Sequence, residues 1–250
     1  MITLDTLKQL KLSYLYRNYD EFNKEAEESK WTGIMCLEKM LEREIEQRHI
    51  NGINRRIYNA KFLLKKYLED FDKTIYSLEV QNELDKLYSL DFITNKENII
   101  LIGNPGCGKT HLATGLGISA CMNGRNVLFA SIPNLVIELK EAMSLNTLTK
   151  YKKKFECYDL VILDELGYIS FDKNSCDLLF NLLSNRTNKG SIIITTNLTF
   201  DNWTDLFKDE MLTSALIDRL AYKAYILNLS TETSYRLEET KRWKSDKKKK

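Results

Sequence analysis

Residues Asn98 to Ala113 read N-I-I-L-I-G-N-P-G-C-G-K-T-H-L-A. Ile99 to Ile102 form a short apolar run suited to a buried strand. Gly103, Asn104, Pro105, Gly106, Cys107, Gly108, Lys109 and Thr110 then fit G-x-x-x-x-G-K-[ST], the loop that cradles nucleotide phosphates. The glycines open backbone geometries denied to other residues, so consecutive N–H groups can aim at one anion. Lys109 opens a helix whose positive dipole end faces the phosphates, and its ammonium can reach the β and γ groups. Thr110 offers a hydroxyl to Mg²⁺. A helical pattern follows (Leu112, Ala113, Leu116, Ala120), which gives the strand–loop–helix context that a chance glycine turn lacks. His111 falls inside the nucleotide-binding stretch and reads as a helix-surface residue.

A second apolar run, Leu160 to Leu163, ends in Asp164-Glu165. Buried carboxylates are costly unless something pairs with them. A strand tip at a metal–phosphate site supplies that partner. Asp164 would hold Mg²⁺, and Glu165 would polarise a water for attack on the γ-phosphate. Ser191 to Thr195 forms another strand, ending in Thr196-Asn197. Asn197 at such a tip either hydrogen-bonds the attacking water or γ-phosphate, or caps a turn. Val127 to Ala130, after the Asn123-Gly124 turn, and Ala224 to Leu229 complete the strands, and Pro133 suits a helix start.

Upstream, residues 1 to about 70 are helical in pattern. Leu12, Leu15, Tyr16, Tyr19 and Phe22 make one apolar face; Ile34, Leu37, Leu41 and Ile45 make another, with Thr32 as a candidate N-cap. The two faces are expected to pack on each other. Between Glu46 and Glu69 the cations Arg48, Arg55, Arg56, Lys61, Lys65 and Lys66 occur with no acid among them, interleaved with Tyr58, Phe62 and Tyr67. This is either a solvated face or a surface for DNA phosphates. Tyr151 to Lys154 is a smaller basic patch.

Composition narrows the class. The net charge is only +2, so no global basic field announces nucleic acid. The 5 cysteines are scattered and there are only 2 histidines, which argues against zinc and for a reducing, cytoplasmic setting. No apolar run approaches the ~18 residues of a membrane span, and no signal-peptide core is expected.

From Glu97 to Arg236 the order of motifs resembles an AAA+ ATPase. More narrowly, it resembles the IstB-like group, ATP-dependent helpers of insertion-sequence transposases and relatives of the DnaC-type helicase loaders. The residues that carry this are Gly103 to Ala113, Leu163-Asp-Glu-Leu-Gly-Tyr168, Thr196-Asn-Leu-Thr-Phe200 with Trp203, Asp218-Arg-Leu220 and Ser234-Tyr-Arg-Leu237. Upstream, Asn54-Arg-Arg56, Phe62 and Phe71-Asp72 extend it to nearly the whole chain. Asn104 and Cys107 stand where relatives often have Pro and Thr, and Thr196 and Thr199 where Ser and Pro are common; none removes a required group.

The resemblance implies a five-stranded parallel sheet in a P-loop AAA+ core (96–237), a small N-terminal helical domain (1–70), a connecting helix (71–95), a minimal lid and a basic tail (238–250). It implies ATP and Mg²⁺ bound at Lys109 and Thr110, Asp164 and Glu165 as the Walker-B pair, and Asn197 as first sensor. Arg219 would be an arginine finger given to a neighbouring subunit, and Arg236 the second-sensor arginine. The implied activity is ATP hydrolysis in a homo-oligomer on double-stranded DNA, assisting or regulating a cognate transposase. The alternative partner is a replicative helicase. A nucleotide-gated binding module would not need Glu165 and Arg219, and a small-molecule kinase has no use for an arginine in trans.

Overall fold

The computed structural model describes residues 4–167, 172–231, 234, 240 and 243. It resolves two compact units, one ending at Arg55 and one beginning at Arg56. The sequence places this division near residue 70. Residues 56–76 instead pack on the phosphate-loop helix and the second strand, where Phe62 meets Phe129 at 5.9 Å between ring centres.

The first unit holds α1 (Leu4–Gln9), α2 (Ser13–Glu28) and most of α3 (Gly33–Asn59). Leu7, Leu15 and Phe22 are buried, with Leu12, Tyr19, Trp31 and Met40 packed around them. Thr32 caps α3 as expected, accepting from Met35 N at 3.3 Å. The expected second apolar face does not pack: Ile34, Leu37, Leu41 and Ile45 are 47–73% exposed. Polar groups take the seam instead. Buried Glu44 accepts from Ser13 N and Tyr14 N at 2.9 and 2.8 Å, satisfying free donors at the start of α2. Arg43 clasps Glu25 through two bonds of 2.7 and 2.6 Å and lies over the rings of Tyr14, Phe22 and Trp31. With Met40, Arg43 and Glu44 turned to α2, the aliphatic stripe falls to one side.

In the second unit, α4 (Leu78–Tyr88) and α5 (Asp91–Asn95) lead to β1 (Asn98–Ile102). The chain continues through α6 (Lys109–Met122), β2 (Val127–Ser131), α7 (Ile132–Ser144), α8 (Leu148–Glu156) and β3 (Leu160–Leu166). It ends with α9 (Lys173–Ser184), β4 (Ser191–Thr196), α10 (Trp203–Phe207), α11 (Glu210–Ala221) and β5 (Ala224–Asn228). The sheet is five-stranded and parallel, as expected, in the order β2-β3-β4-β1-β5. Its central strands are apolar on both faces, as parallel strands covered by helices must be. β4 lies between β3 and β1, so the loops that leave all three meet at one edge. The opposite edge is tied by Arg186, which is fully buried. It donates to the carbonyls of Phe155, Tyr158 and Ser191 at 2.8, 2.7 and 3.2 Å, and burial pushes its guanidinium down to about 10. Among the described residues no helix is long and apolar enough to cross a membrane.

Candidate active site

At the carboxyl edge of the sheet, the Gly103 amide donates to the Thr196 carbonyl at 3.2 Å, which joins the phosphate loop to the tip of β4. Gly106 and Gly108 take φ of +83° and +93°, a region that side chains rarely tolerate. Asn104 exchanges two bonds with the Thr231 backbone, at 2.7 and 3.2 Å. Lys109 is 8% exposed and its ammonium donates to the Gly103 and Asn104 carbonyls at 2.7 and 2.9 Å. It thus sits folded on the loop, held by neutral acceptors that a phosphate oxygen can replace. Cys107 is buried beneath, its Sγ 3.6 Å from the same ammonium.

Asp164 is 3% exposed, and no Lys or Arg pairs with it among the described residues. Its Oδ1 accepts from Thr110 Oγ1 at 2.9 Å and from Thr195 Oγ1 at 2.5 Å. A register irregularity between Leu163 and Leu166 breaks the β3–β4 pairing at this point. It lets Glu165 take a left-handed φ of +67° and turn an exposed side chain outward, while its amide donates to Thr195 Oγ1 at 3.0 Å. Thr195 therefore fixes both members of the carboxylate pair. Sequence reasoning missed it, although a polar pair closing an apolar strand beside Asp164-Glu165 was a readable signal. Asn197 follows β4, exposed at the same edge and close to Gly167.

The loop is braced from upstream. Tyr76 donates its hydroxyl to the Cys107 carbonyl and stacks on Phe71, and the two rings close on Gly108. Burial and neighbouring negative charge push the Tyr76 hydroxyl far up, so it remains a donor. Leu68 lies against Gly115 and Phe62 against Gly117; a Cβ at either glycine would come within 2.8 Å of them. His111 is not a free surface residue. Its Nε2 bonds the Tyr67 carbonyl at 2.9 Å and its ring meets the edge of Phe71, so the imidazole braces α6 against the 67–71 segment.

Other predicted residues lie apart. Arg219 stacks over Phe180 at 4.9 Å and donates to Ser184 Oγ at 3.2 Å, on α9 and not at its own phosphate loop. Arg236 and Tyr168 lie outside the described residues, as do Tyr235 and Leu237 of the expected lid, whereas Ser234 is described and its side chain lies against Gly106 of the phosphate loop. Of the basic stretch, Arg48 is taken up inside the first unit by Glu44 at 3.2 Å and the Lys11 carbonyl at 3.0 Å. Arg56 donates from Nε to the Cys121 carbonyl at 2.7 Å, and Lys61 pairs with Glu138 at 3.2 Å. Arg55, Lys65 and Lys66 are exposed.

The family described as IstB-like ATP binding protein matches residues 5–243. The Pseudomonas aeruginosa protein named for ATP binding in insertion sequence IS21 is 34% identical over 94% of this chain and 89% of its own length. A Geobacillus stearothermophilus counterpart from insertion sequence IS5376 is 36% identical over 85% of this chain and 84% of its own. Among solved structures, DnaI aligns with a TM-score of 0.58 at 18% identity, over 72% of this chain and 98% of that one. DnaA from Aquifex aeolicus bound to AMPPCP aligns at 0.57 and 17%, over 74% and 56%. Both share the fold.

Proposed function

This chain belongs to the IstB-like ATP-binding proteins of insertion sequences, and from that membership we propose that its ATP hydrolysis controls a homo-oligomer on double-stranded DNA that assists or regulates the element's transposase. The observation that carries the hydrolytic part is Asp164. It is a buried carboxylate without a cationic partner among the described residues, bonded to the hydroxyl next to the phosphate-loop lysine. An oxygen pair of this kind fits Mg²⁺, which binds through few protein ligands and substrate phosphates. When bound there, Mg²⁺ neutralises charge gathering on the β- and γ-phosphate oxygens.

The chain's own residues do the rest by position and charge. Lys109 gives up its two carbonyls for phosphate oxygens, and the amides of residues 106–110 complete the cradle. Thr195 holds Asp164 in place through its hydroxyl and Glu165 through that residue's amide, so the outward carboxylate of Glu165 can accept a proton from an attacking water. Asn197, one strand over, is placed to orient that water or the γ-phosphate. Arg219, directed away from its own loop, acts on the site of a neighbouring copy.

The insertion-sequence relatives support the transposase as partner over a replicative helicase. Exposed Arg55, Lys65 and Lys66 support phosphate contact with DNA. Lys109→Ala is the test of the site. It removes the only side-chain cation of the loop, so binding of a fluorescent ATP analogue should weaken by about tenfold or more, in line with loss of a charged hydrogen bond. Turnover with Mg²⁺ and DNA should fall to background. Unchanged affinity would remove the phosphate loop from the account.

A further inference from the structure

A cavity lies within the second unit, at the end of the sheet opposite the candidate active site. Its volume is about 830 Å³, and it opens beside Asn126 and Val127, where β2 begins, and Tyr158, just before β3. β3 is 7 residues long. At about 3.3 Å per residue it separates this cavity from Asp164 and Glu165 by roughly 20 Å, so the two sites are distinct. The volume is within the ~300–1,000 Å³ of pockets that enclose small ligands.

Its lining joins two basic stretches that are far apart in sequence. Arg56, Lys61 and Lys65 come from the end of α3 and the segment after it; Lys154 comes from α8. Among the described residues no carboxylate lines it. Three acids beside it are already bonded, Glu138 and Asp159 to groups of the lining itself. Glu138 receives Lys61 and the Tyr151 hydroxyl, Glu156 pairs with Lys189 at 2.8 Å, and Asp159 accepts from Asn126 N at 2.7 Å. Lys65 and Lys154 form no ion pair among the described residues. The occupant is therefore anionic. It must also present flat apolar faces, because Tyr58, Phe62 and Tyr158 line the same space. Tyr58 is 84% exposed, a large ring that the fold itself does not use. An acidic peptide satisfies the cations and leaves the rings idle. An intact duplex does the same, since its bases are stacked on one another. A nucleotide with an unstacked base satisfies both.

We propose that this cavity seats an unpaired nucleotide segment of the bound DNA, its phosphates on Lys65 and Lys154 and a base on the ring of Tyr58. The proposal rests on the DNA-binding reading above and specifies the form of DNA that the second unit holds. It gives the chain a means of registering distorted DNA at a point remote from ATP.

The test uses the full chain with ATP and two probes, an intact duplex and the same duplex with a short single-stranded gap that carries 2-aminopurine. The gapped probe should bind more tightly, and the emission of its 2-aminopurine should be quenched. Tyr58→Ala, a surface change, should weaken gapped binding by about 5- to 150-fold, the range of one base–aromatic stack. It should leave the intact duplex unchanged, and Tyr58→Phe should keep the wild-type preference. Lys154→Gln should reduce the slope of log K against log salt on the gapped probe by about 0.7. Equal binding of both probes, or an equal loss on both in Tyr58→Ala, overturns the seat while leaving duplex binding intact. Displacement by poly-glutamate as readily as by an oligonucleotide assigns the cavity to an acidic protein and also overturns it. Failure to bind either probe removes the DNA-binding reading, and the seat with it.

Discussion

Arg219→Ala should lower ATP turnover by about 10³-fold while ATP binding to the isolated chain persists, the loss expected when an arginine finger is withdrawn. The reason is geometric. Arg219 rests on Phe180 and Ser184, so its role in its own chain is a half-exposed ring contact. Removing it costs about 0.5–1 kcal/mol of such contact and leaves the fold intact. A large loss of turnover with the fold intact is then the result expected of an arginine that acts at another copy's phosphates. Mixing the Arg219→Ala chain with the Lys109→Ala chain separates the two possibilities. Where the copies alternate, an intact loop meets an intact arginine and turnover returns. A co-assembled mixture as inactive as its parts places the catalytic cation elsewhere.

Glu165→Gln separates binding from chemistry. The amide keeps the shape of the side chain and the left-handed backbone at φ +67°, held by the Thr195 hydroxyl, but it cannot accept the proton of an attacking water. Turnover measured by phosphate release should fall by about 10²-fold or more, with ATP affinity retained. The ATP-bound complex on duplex DNA should outlast that of the unaltered chain. Turnover that matches the unaltered chain would identify another base.

What the sequence discloses about this site follows from how local each signal is. The phosphate loop, the Asp164-Glu165 pair and all five strands are short contiguous patterns, and each appears where the pattern puts it. Features set by strand order are not legible in that way. Thr195 reaches Asp164 only because β4 is laid beside β3, and the local irregularity that frees Glu165 belongs to the pairing of those strands. His111 looks like a solvent-facing residue until the 67–76 segment covers it. The stripe from Ile34 to Ile45 has the periodicity of a packed face. Periodicity cannot reveal that Arg43 and Glu44 take the seam with α2. Lys154 joins Arg56 and Lys65 around one cavity by the same kind of long-range placement.

The central claim is that the nucleotide held at residues 103–110 decides whether the chain, on DNA, engages a transposase. The most direct measurement is retention of the transposase encoded in the same element on immobilised duplex DNA carrying this protein, with ATP and the Glu165→Gln variant in one arm and ADP in the other. The account predicts retention in the ATP arm and release in the ADP arm, with Lys109→Ala failing in both. Equal retention in both arms, or retention of a replicative helicase in place of the transposase, would contradict it.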